Sequence, residues 1–315
     1  MQDSQRFAQL LKQNIGKVII GKSEAVELML IALLCRGHVL IEDVPGVGKT
    51  TLASSLARSL DCTFQRIQFT PDITPSDITG FSIVNFKTGE LEYKTGLIMS
   101  QIILADEINR TSPKTQSSLL EVMEEGQVTV DGVTYLMPQP FIVLATQNPV
   151  DFVGTYPLPE AQLDRFFMKI SIGYPSPEEE TGILERFTSG NKPIAELRPI
   201  CSSGDIVAFQ NDVGGIYTSR EVRAYVSLIA QASRKHNALQ LGISTRGAIY
   251  LLRASQARAM LLGRDFVIPE DIQAMAQPVL SHRIILSAEA HMRNMTAERI
   301  LQSVISTVQV PVKLP

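Results

Sequence analysis

Residues 39–57 read VLIEDVPGVGKTTLASSLA, and this stretch decides the fold. It begins with Val39, Leu40 and Ile41, a short apolar run typical of a strand that is buried on both faces. Glycines and a proline then interrupt regular structure, and from Lys49 onward leucines recur at helical spacing. Strand, glycine-rich loop and helix in this order are the setting of a phosphate-binding loop.

The loop carries the groups that a phosphate chain requires. Its backbone N–H groups can surround phosphate oxygens, and the positive end of the helix dipole adds to the attraction. We predict that Lys49 contacts the β- and γ-phosphates and that the Thr50 hydroxyl ligates Mg²⁺. The loop residues predicted to bind the nucleotide are Pro45, Gly46, Val47, Gly48, Lys49, Thr50 and Thr51.

One position departs from the usual phosphate-loop pattern, which has glycine six residues before the lysine. Here that residue is Asp43, which can adopt a turn conformation because aspartate tolerates positive φ better than most residues. Gly46 and Gly48 can supply the other unusual dihedral angles. An ordinary tight turn that carries a lysine is the alternative interpretation of this loop taken alone.

A second apolar run, residues 102–105, ends in Asp106 and Glu107. We predict that Asp106 holds Mg²⁺ and that Glu107 polarises an attacking water. Acidic pairs are also common in loops after strands, which is the plainer alternative. An apolar strand followed by two carboxylates, downstream of a phosphate loop, favours the metal-binding interpretation.

Two further polar residues are candidates for the same site. Asn148 follows the apolar run at 141–145, and ligands of open α/β sheets bind at the carboxyl edge that it would occupy. Pro149 is expected to end that strand. Arg246 lies just inside a predicted helix start, where it opposes the helix dipole unless an anion is near. It is therefore either a phosphate contact or a solvated surface residue.

Composition is that of an ordinary globular protein of about two domains. The chain has 315 residues, of which 44% are apolar and 19% charged, and its net charge of −3 offers no bulk basic field for nucleic acid or anionic membranes. Its three scattered cysteines lack metal-ligand spacing and indicate a reducing compartment. No run of apolar residues reaches the length of a membrane span, and the N-terminus is polar. We therefore predict a cytoplasmic protein.

The remaining patterns predict two domains. Residues 1–175 alternate strand and helix signals, with hairpins at 80–94 and 127–137, the second around an Asp-Gly turn. Residues 158–167 read as a short helix and 168–172 as the last strand. Residues 176–315 read as helices, with capping boxes predicted at Ser176–Glu179 and Thr218–Glu221 and a further cap at Ser23 near the N-terminus.

These landmarks in this order resemble the AAA+ ATPases, and most closely the MoxR family. The motifs that carry the resemblance are VPGVGKT at 44–50, ADEINR at 105–110, ATQNP at 145–149, LPEAQLDRF at 158–166 and GISTR at 242–246. The resemblance covers nearly the whole chain. It implies an α/β P-loop AAA+ core with a central parallel sheet and two hairpins, the helix-2 and pre-sensor-1 inserts, followed by a small all-α lid.

The resemblance also implies roles for single residues. Lys49 and Thr50 would be the Walker A pair, and Asp106 and Glu107 the Walker B pair. Asn148 resembles sensor 1, Arg165 resembles an arginine finger that acts on the neighbouring subunit's nucleotide, and Arg246 resembles sensor 2. The segment on the adenine side would be Val18, Ile19, Ile20 and Gly21, which by pattern alone would read as plain core.

Membership of such a family implies an ATPase that uses ATP and Mg²⁺ in a homo-oligomeric, hexameric ring. Relatives act as chaperone-like machines on other proteins, often with von Willebrand factor A domain partners. The alternatives are a nucleic-acid motor or a chelatase-like metal-insertion motor of the same clade, and a scaffold that binds ATP but seldom cleaves it. Net charge and hairpins with only Lys87 and Lys94 as basic residues argue against nucleic acid. Glu107 and Asn148 argue against the scaffold.

Overall fold

The computed structural model describes residues 2–148, 154–188 and 193–311. Within these residues the strands are β1 (Val39–Glu42), β2 (Phe64–Gln68), β3 (Gly80–Val84), β4 (Leu91–Thr95), β5 (Ile102–Asp106), β6 (Gln127–Val130), β7 (Val133–Leu136), β8 (Ile142–Gln147), β9 (Met168–Ile170), β10 (Leu239–Leu241) and β11 (Ile285–Leu286).

The α-helices of the same residues are α1 (Gln2–Gly16), α2 (Ser23–Leu34), α3 (Lys49–Ser59), α4 (Pro75–Thr79), α5 (Pro113–Glu125), α6 (Glu160–Leu163), α7 (Pro177–Thr188), α8 (Pro193–Glu196), α9 (Ser203–Asp212), α10 (Arg220–Arg234), α11 (Thr245–Leu261), α12 (Pro269–Leu280), α13 (Ala288–Met292) and α14 (Ala297–Thr307). None of the helices described here is both long and apolar enough to cross a lipid bilayer.

Five strands form one sheet in the order β2-β5-β8-β1-β9, and every neighbouring pair is parallel. Val39 and Ile41 pack on one face of the sheet, while Leu40 packs on the other, as the two-residue period of a strand requires. Helices cover both faces, which explains why these strands read as continuous apolar runs. The predicted parallel sheet and α/β class are confirmed.

Both predicted hairpins are present and antiparallel. The second one turns at Asp131 and Gly132, whose φ angles of 50° and 79° are those of a tight two-residue turn. Tyr93 of β4 stacks on Tyr135 of β7 with ring centroids 4.0 Å apart. The two hairpins therefore pack against each other at the rim of the sheet.

The C-terminal part is helical, as predicted, with one departure. Strands β10 and β11 form a short antiparallel pair within it, too short to leave a pattern in the sequence. Its helices pack on the N-terminal part through Arg283, a buried side chain that forms an ion pair with Asp164 at 3.0 Å. This contact joins the last helices to the segment that precedes β9.

Several local predictions need correction. The helix predicted at 158–167 is only the four residues of α6, and strand β9 ends at Ile170. Helix α10 is capped by Ser219, whose hydroxyl accepts from the Val222 N–H, and not by Thr218. Ser23 lies inside α2, which begins after Lys22 without a side-chain cap. The Ser176–Glu179 capping box is confirmed, and Pro149 lies outside the described residues.

His38 is buried where β1 begins and connects two elements. Its Nδ1 accepts a hydrogen bond from the Val143 N–H at 3.0 Å, and its Nε2 lies 2.8 Å from the Met123 carbonyl oxygen. The ring is therefore neutral with a proton on Nε2. Burial lowers the pKa of His38 from 6.5 to about 4, and it outweighs the hydrogen bond to Met123.

We expect the contribution of His38 to the free energy of unfolding to be constant above pH 6.5 and to fall as the pH is lowered toward 4. In that window the unfolded chain binds a proton at His38 and the folded chain does not. The variant H38Q should be less stable at pH 7.5 but lose less stability between pH 7.5 and 5. Urea unfolding at both pH values tests this, with the exposed His291 as the control in H291Q.

If H38Q loses as much free energy of unfolding between pH 7.5 and 5 as H291Q does, the lowered pKa of His38 is contradicted. Some slope should remain in H38Q because burial also lowers the pKa of His282.

Candidate active site

A cavity of about 360 Å³ opens at the carboxyl edge of the sheet. Three loops and the end of β2 meet there, because parallel strands deliver their carboxyl ends to the same edge. The lining residues are Pro45, Gly46, Gly48, Lys49, Thr50, Thr51, Arg66, Gln68, Asp106, Glu107 and Asn148. The structure thus brings together most of the residues that the sequence predicts for phosphate and metal.

The loop between β1 and α3 has the backbone of an anion cradle. Gly46 and Gly48 both have φ of 88°, and a Cβ built on either would meet no atom within 4 Å. Glycine adopts this φ without strain, and the space above the loop is open. The Val47 side chain packs on the core, so any contact of Val47 with a nucleotide would be through its backbone.

Asp43 does not have the positive φ that we allowed for it. Its carboxylate is buried and accepts hydrogen bonds from Ser171 Oγ at 3.0 Å, from the Ile172 N–H and from the Gly173 N–H at 3.2 Å. The contacts of the Asp43 carboxylate, and not an unusual backbone conformation, therefore distinguish aspartate from glycine at this position. It ties the start of the loop to the segment that follows β9.

Lys49 reaches back over the loop, where its Nζ donates to the Asp43 carbonyl oxygen at 2.6 Å. Burial lowers the pKa of Lys49, and the nearby carboxylates of Asp43, Asp106 and Glu107 oppose that shift. The ammonium group is thus held over the first turn of α3, near the carboxylates of Asp106 and Glu107.

Asp106 is held on both carboxylate oxygens. Thr146 Oγ1 donates to Oδ1 at 2.6 Å, and Arg66 Nη2 donates to Oδ2 at 2.6 Å. The same Thr146 oxygen accepts from the Glu107 N–H at 2.9 Å. Our sequence analysis missed both Thr146 and Arg66. Thr146 lies near the carboxyl end of β8, which is a signal that could have found it, whereas Arg66 lies in the middle of β2 and carries no such signal.

Glu107 has a φ of 58°, a conformation that costs a non-glycine residue on the order of 1 kcal/mol. The turn directs its carboxylate into the cavity, where Oε2 accepts from Gln68 Nε2 at 2.8 Å and lies 3.3 Å from Arg110 Nε. Strain of this kind persists only where surrounding contacts hold it, and it is typical of functional residues. Asn148, which is buried, completes this wall of the cavity.

The donor set fits a magnesium nucleotide. Mg²⁺ prefers carboxylate and hydroxyl oxygens, which Asp106 and Thr50 offer across the same cavity. Phosphate prefers backbone N–H groups at a helix N-terminus together with a lysine, which the loop, α3 and Lys49 provide. The open space above Gly46 and Gly48 leaves room for the phosphate chain.

The segment of Val18, Ile19, Ile20 and Gly21 is not among the residues that line this cavity. Helix α7 covers it: Gly182 packs near Ile20, and the Glu179 side chain occupies the space directly over Gly21. Lys22 binds the Tyr174 carbonyl oxygen through its Nζ at 2.9 Å. The predicted adenine contact of this segment therefore stays a prediction.

Arg165 and Arg246 line a separate cavity of about 160 Å³. Both are bound to one carboxylate, because Arg165 Nη1 lies 2.9 Å from Glu124 Oε2 and Arg246 Nη2 lies 2.9 Å from Glu124 Oε1. Neither side chain lines the phosphate loop of its own chain. Glu124 was not predicted, since only the fold brings it to these arginines.

Comparison with known proteins agrees with this geometry. Residues 38–168 match the family described as "ATPase family associated with various cellular activities (AAA)", and residues 231–304 match the AAA lid domain. The protein YeaC of Bacillus subtilis is 52% identical over 301 residues, which cover 96% of this chain and 94% of YeaC.

Two further relatives have functional names or a known structure. Chaperone MoxR1 of Mycobacterium tuberculosis is 41% identical over 306 residues, covering 94% of this chain and 80% of that protein. A crystal structure of a Cytophaga hutchinsonii protein assigned as an ATPase superposes with a TM-score of 0.92 at 38% identity, covering 98% of this chain and 96% of the other.

We expect T146V to weaken the magnesium dependence of nucleotide binding. Removal of the hydroxyl leaves Asp106 Oδ1 without its donor, and such supporting contacts are commonly worth about 10-fold or more in metal affinity. Calorimetric titration of Mg²⁺ into protein with saturating ATP measures the shift. T129V is the matched control, because Thr129 pairs only with Thr134 on the exposed second hairpin. An identical Mg²⁺ titration for both variants would contradict the role of Thr146.

Proposed function

The chain belongs to the MoxR family of AAA+ ATPases, and from this membership we propose that it hydrolyses ATP to remodel or activate other proteins. The observation that carries the proposal is the single cavity shared by Lys49, Thr50, Asp106, Glu107 and Asn148. Each is the residue type that phosphoryl transfer to water requires at that place. The name of the relative MoxR1 supports a chaperone-like role.

The chemistry follows from where the side chains lie. The backbone of the loop and Lys49 would hold the phosphate chain, and Thr50 and Asp106 would hold Mg²⁺, which neutralises charge on the phosphate oxygens when bound. Glu107 would accept a hydrogen bond from the attacking water and orient it. Asn148 lies beside it and would hold the water or the γ-phosphate. Positioning and charge supply the rate, and no covalent step is needed.

The charge that develops on the γ-phosphate needs a further cation. Among the lining residues that the structure describes, Arg66 is the only arginine, and it already binds Asp106. We propose that the cation comes from Arg165 of a neighbouring copy, with Arg246 beside it, since Glu124 holds both in one cluster. The site would then be complete only in a homo-oligomer, for which we propose a hexameric ring in the cytoplasm.

A surface for protein partners is present on the hairpins. Phe86, Leu91 and Leu136 are 99%, 67% and 75% exposed, and the stacked pair of Tyr93 and Tyr135 joins the two hairpins. Apolar side chains exposed together in this way mark interaction sites. We propose that client proteins contact this surface, and that residues 176–315 act as the lid. A von Willebrand factor A domain protein is the proposed partner on family resemblance.

We expect E107Q to bind ATP normally but hydrolyse it about 100-fold or more slowly, since general-base catalysis contributes that much. ATP turnover and calorimetric affinity test this together, with the exposed Glu125 providing the control E125Q. The ATP-bound E107Q protein should also retain client proteins in a pull-down that the wild type releases. Wild-type turnover in E107Q would contradict the assignment of Glu107 as the general base.

Mixed rings test whether Arg165 acts across the interface. K49A should lack nucleotide binding and R165A should bind but turn over slowly, because an arginine supplied in trans is worth about 10³–10⁵ in rate in comparable systems. A mixture of the two inactive proteins should recover part of the wild-type turnover, since some interfaces pair an intact loop with an intact arginine. If rings that are shown to contain both variants recover no turnover, Arg165 does not act on the nucleotide of the neighbouring subunit.

A further inference from the structure

Asp43 begins the phosphate loop, and the mechanism above does not use its side chain. It replaces the usual glycine, and its conformation does not require a special residue because its φ is not positive. Burial of a carboxylate costs free energy unless hydrogen-bond donors compensate for the lost water, and three donors do so for Asp43. The reason for aspartate must therefore lie in what its side chain holds.

The hydrogen-bond donors to the Asp43 carboxylate all lie in one short segment after β9. Ser171 Oγ and the N–H groups of Ile172 and Gly173 donate to its carboxylate. Gly173 has a φ of 69°, a conformation that favours glycine, at the point where these bonds hold the chain. On the other side, the Asp43 carbonyl oxygen accepts from Lys49 Nζ at 2.6 Å. One residue thus connects the phosphate-binding lysine with the segment 171–174.

The same segment leads to the predicted adenine side. The Tyr174 carbonyl oxygen accepts from Lys22 Nζ, the residue directly after Gly21. Lys22 also lies 3.8 Å from Glu179 of α7, whose side chain covers Gly21. Contacts therefore run without a gap from Lys49 through Asp43 and residues 171–174 to the segment 18–21.

We propose that Asp43 is a positioning residue that fixes the phosphate loop to residues 171–174 and so sets the spacing between the phosphate and adenine ends of the nucleotide site. This deepens the proposed function and rests on it. Glycine at this position could form the loop but could not bind residues 171–173, so it could not fix the adenine side relative to the phosphate loop. The cost of burying the carboxylate is offset by three donors, one of which is the hydroxyl of Ser171.

The test compares ATP with inorganic tripolyphosphate, each with Mg²⁺, by calorimetry. In D43G we expect ATP affinity to fall about 10-fold or more, because even one lost hydrogen bond to a charged group is worth about that factor. Tripolyphosphate affinity should change by less than about 3-fold, because the backbone cradle and Lys49 remain. Amide hydrogen exchange at Ile172 and Gly173 should become faster in D43G with and without ligand.

Two further variants keep the test decisive. D43N retains one carbonyl oxygen and should lose the ATP preference in part, which covers the case in which D43G does not fold. E42Q is the control, because it breaks the neighbouring ion pair of Glu42 with Lys169 of β9, 2.7 Å long, and leaves the Asp43 contacts in place. It should keep the wild-type ratio of the two affinities.

Equal weakening of ATP and tripolyphosphate binding in the Asp43 variants would overturn the proposal, and so would wild-type affinity for both compounds. Wild-type protein that binds neither compound would instead overturn the proposed function itself. The two failures are therefore distinguishable in one series of titrations.

Discussion

The parallel register of the central sheet is the constraint on which the site depends. Backbone hydrogen bonds place Ile41 beside Thr146, Ala105 beside Ala145 and Gln68 beside Asp106. The loops after these strands must then start side by side at one edge, whatever their own sequences. A shift of one residue in this register would turn every side chain to the opposite face. Asp106 would then point into the core instead of the cavity.

Charge balance at this edge explains the polar residues that surround the loop. Asp106, Glu107 and the carboxylate of Asp43 lie near Lys49, and each has a separate means of compensation. Asp106 binds Arg66, Glu107 accepts from Gln68, and Asp43 accepts from residues 171–173. A divalent ion that takes Asp106 must displace Arg66 or share the carboxylate with it.

Local physics made much of the fold predictable. Continuous apolar runs gave the buried strands, Asp131-Gly132 gave a hairpin turn, and the capping box of Ser176 and Glu179 gave the start of α7. The phosphate loop was also predictable, because its glycines and lysine lie within a few residues of each other. Each of these depends on neighbours in sequence.

What the sequence could not predict depends on contacts between distant residues. Asp43 meets Ile172 across 129 positions, and Arg246 meets Glu124 across 122. The φ of Glu107 is set by Thr146 and Gln68 on two other strands, so no local pattern marks it. The two-residue strand β11 forms only because β10 lies beside it. Tertiary packing overrides local preference at these places, and most of them belong to the site.

The most direct measurement is an experimental structure of the protein with Mg²⁺ and a non-hydrolysable ATP analogue. The account predicts the triphosphate in the cradle at 46–51, the metal between Thr50 and Asp106, and Arg66 moved from the Asp106 carboxylate. Nucleotide bound elsewhere, or a phosphate chain without a metal at Asp106, would contradict it.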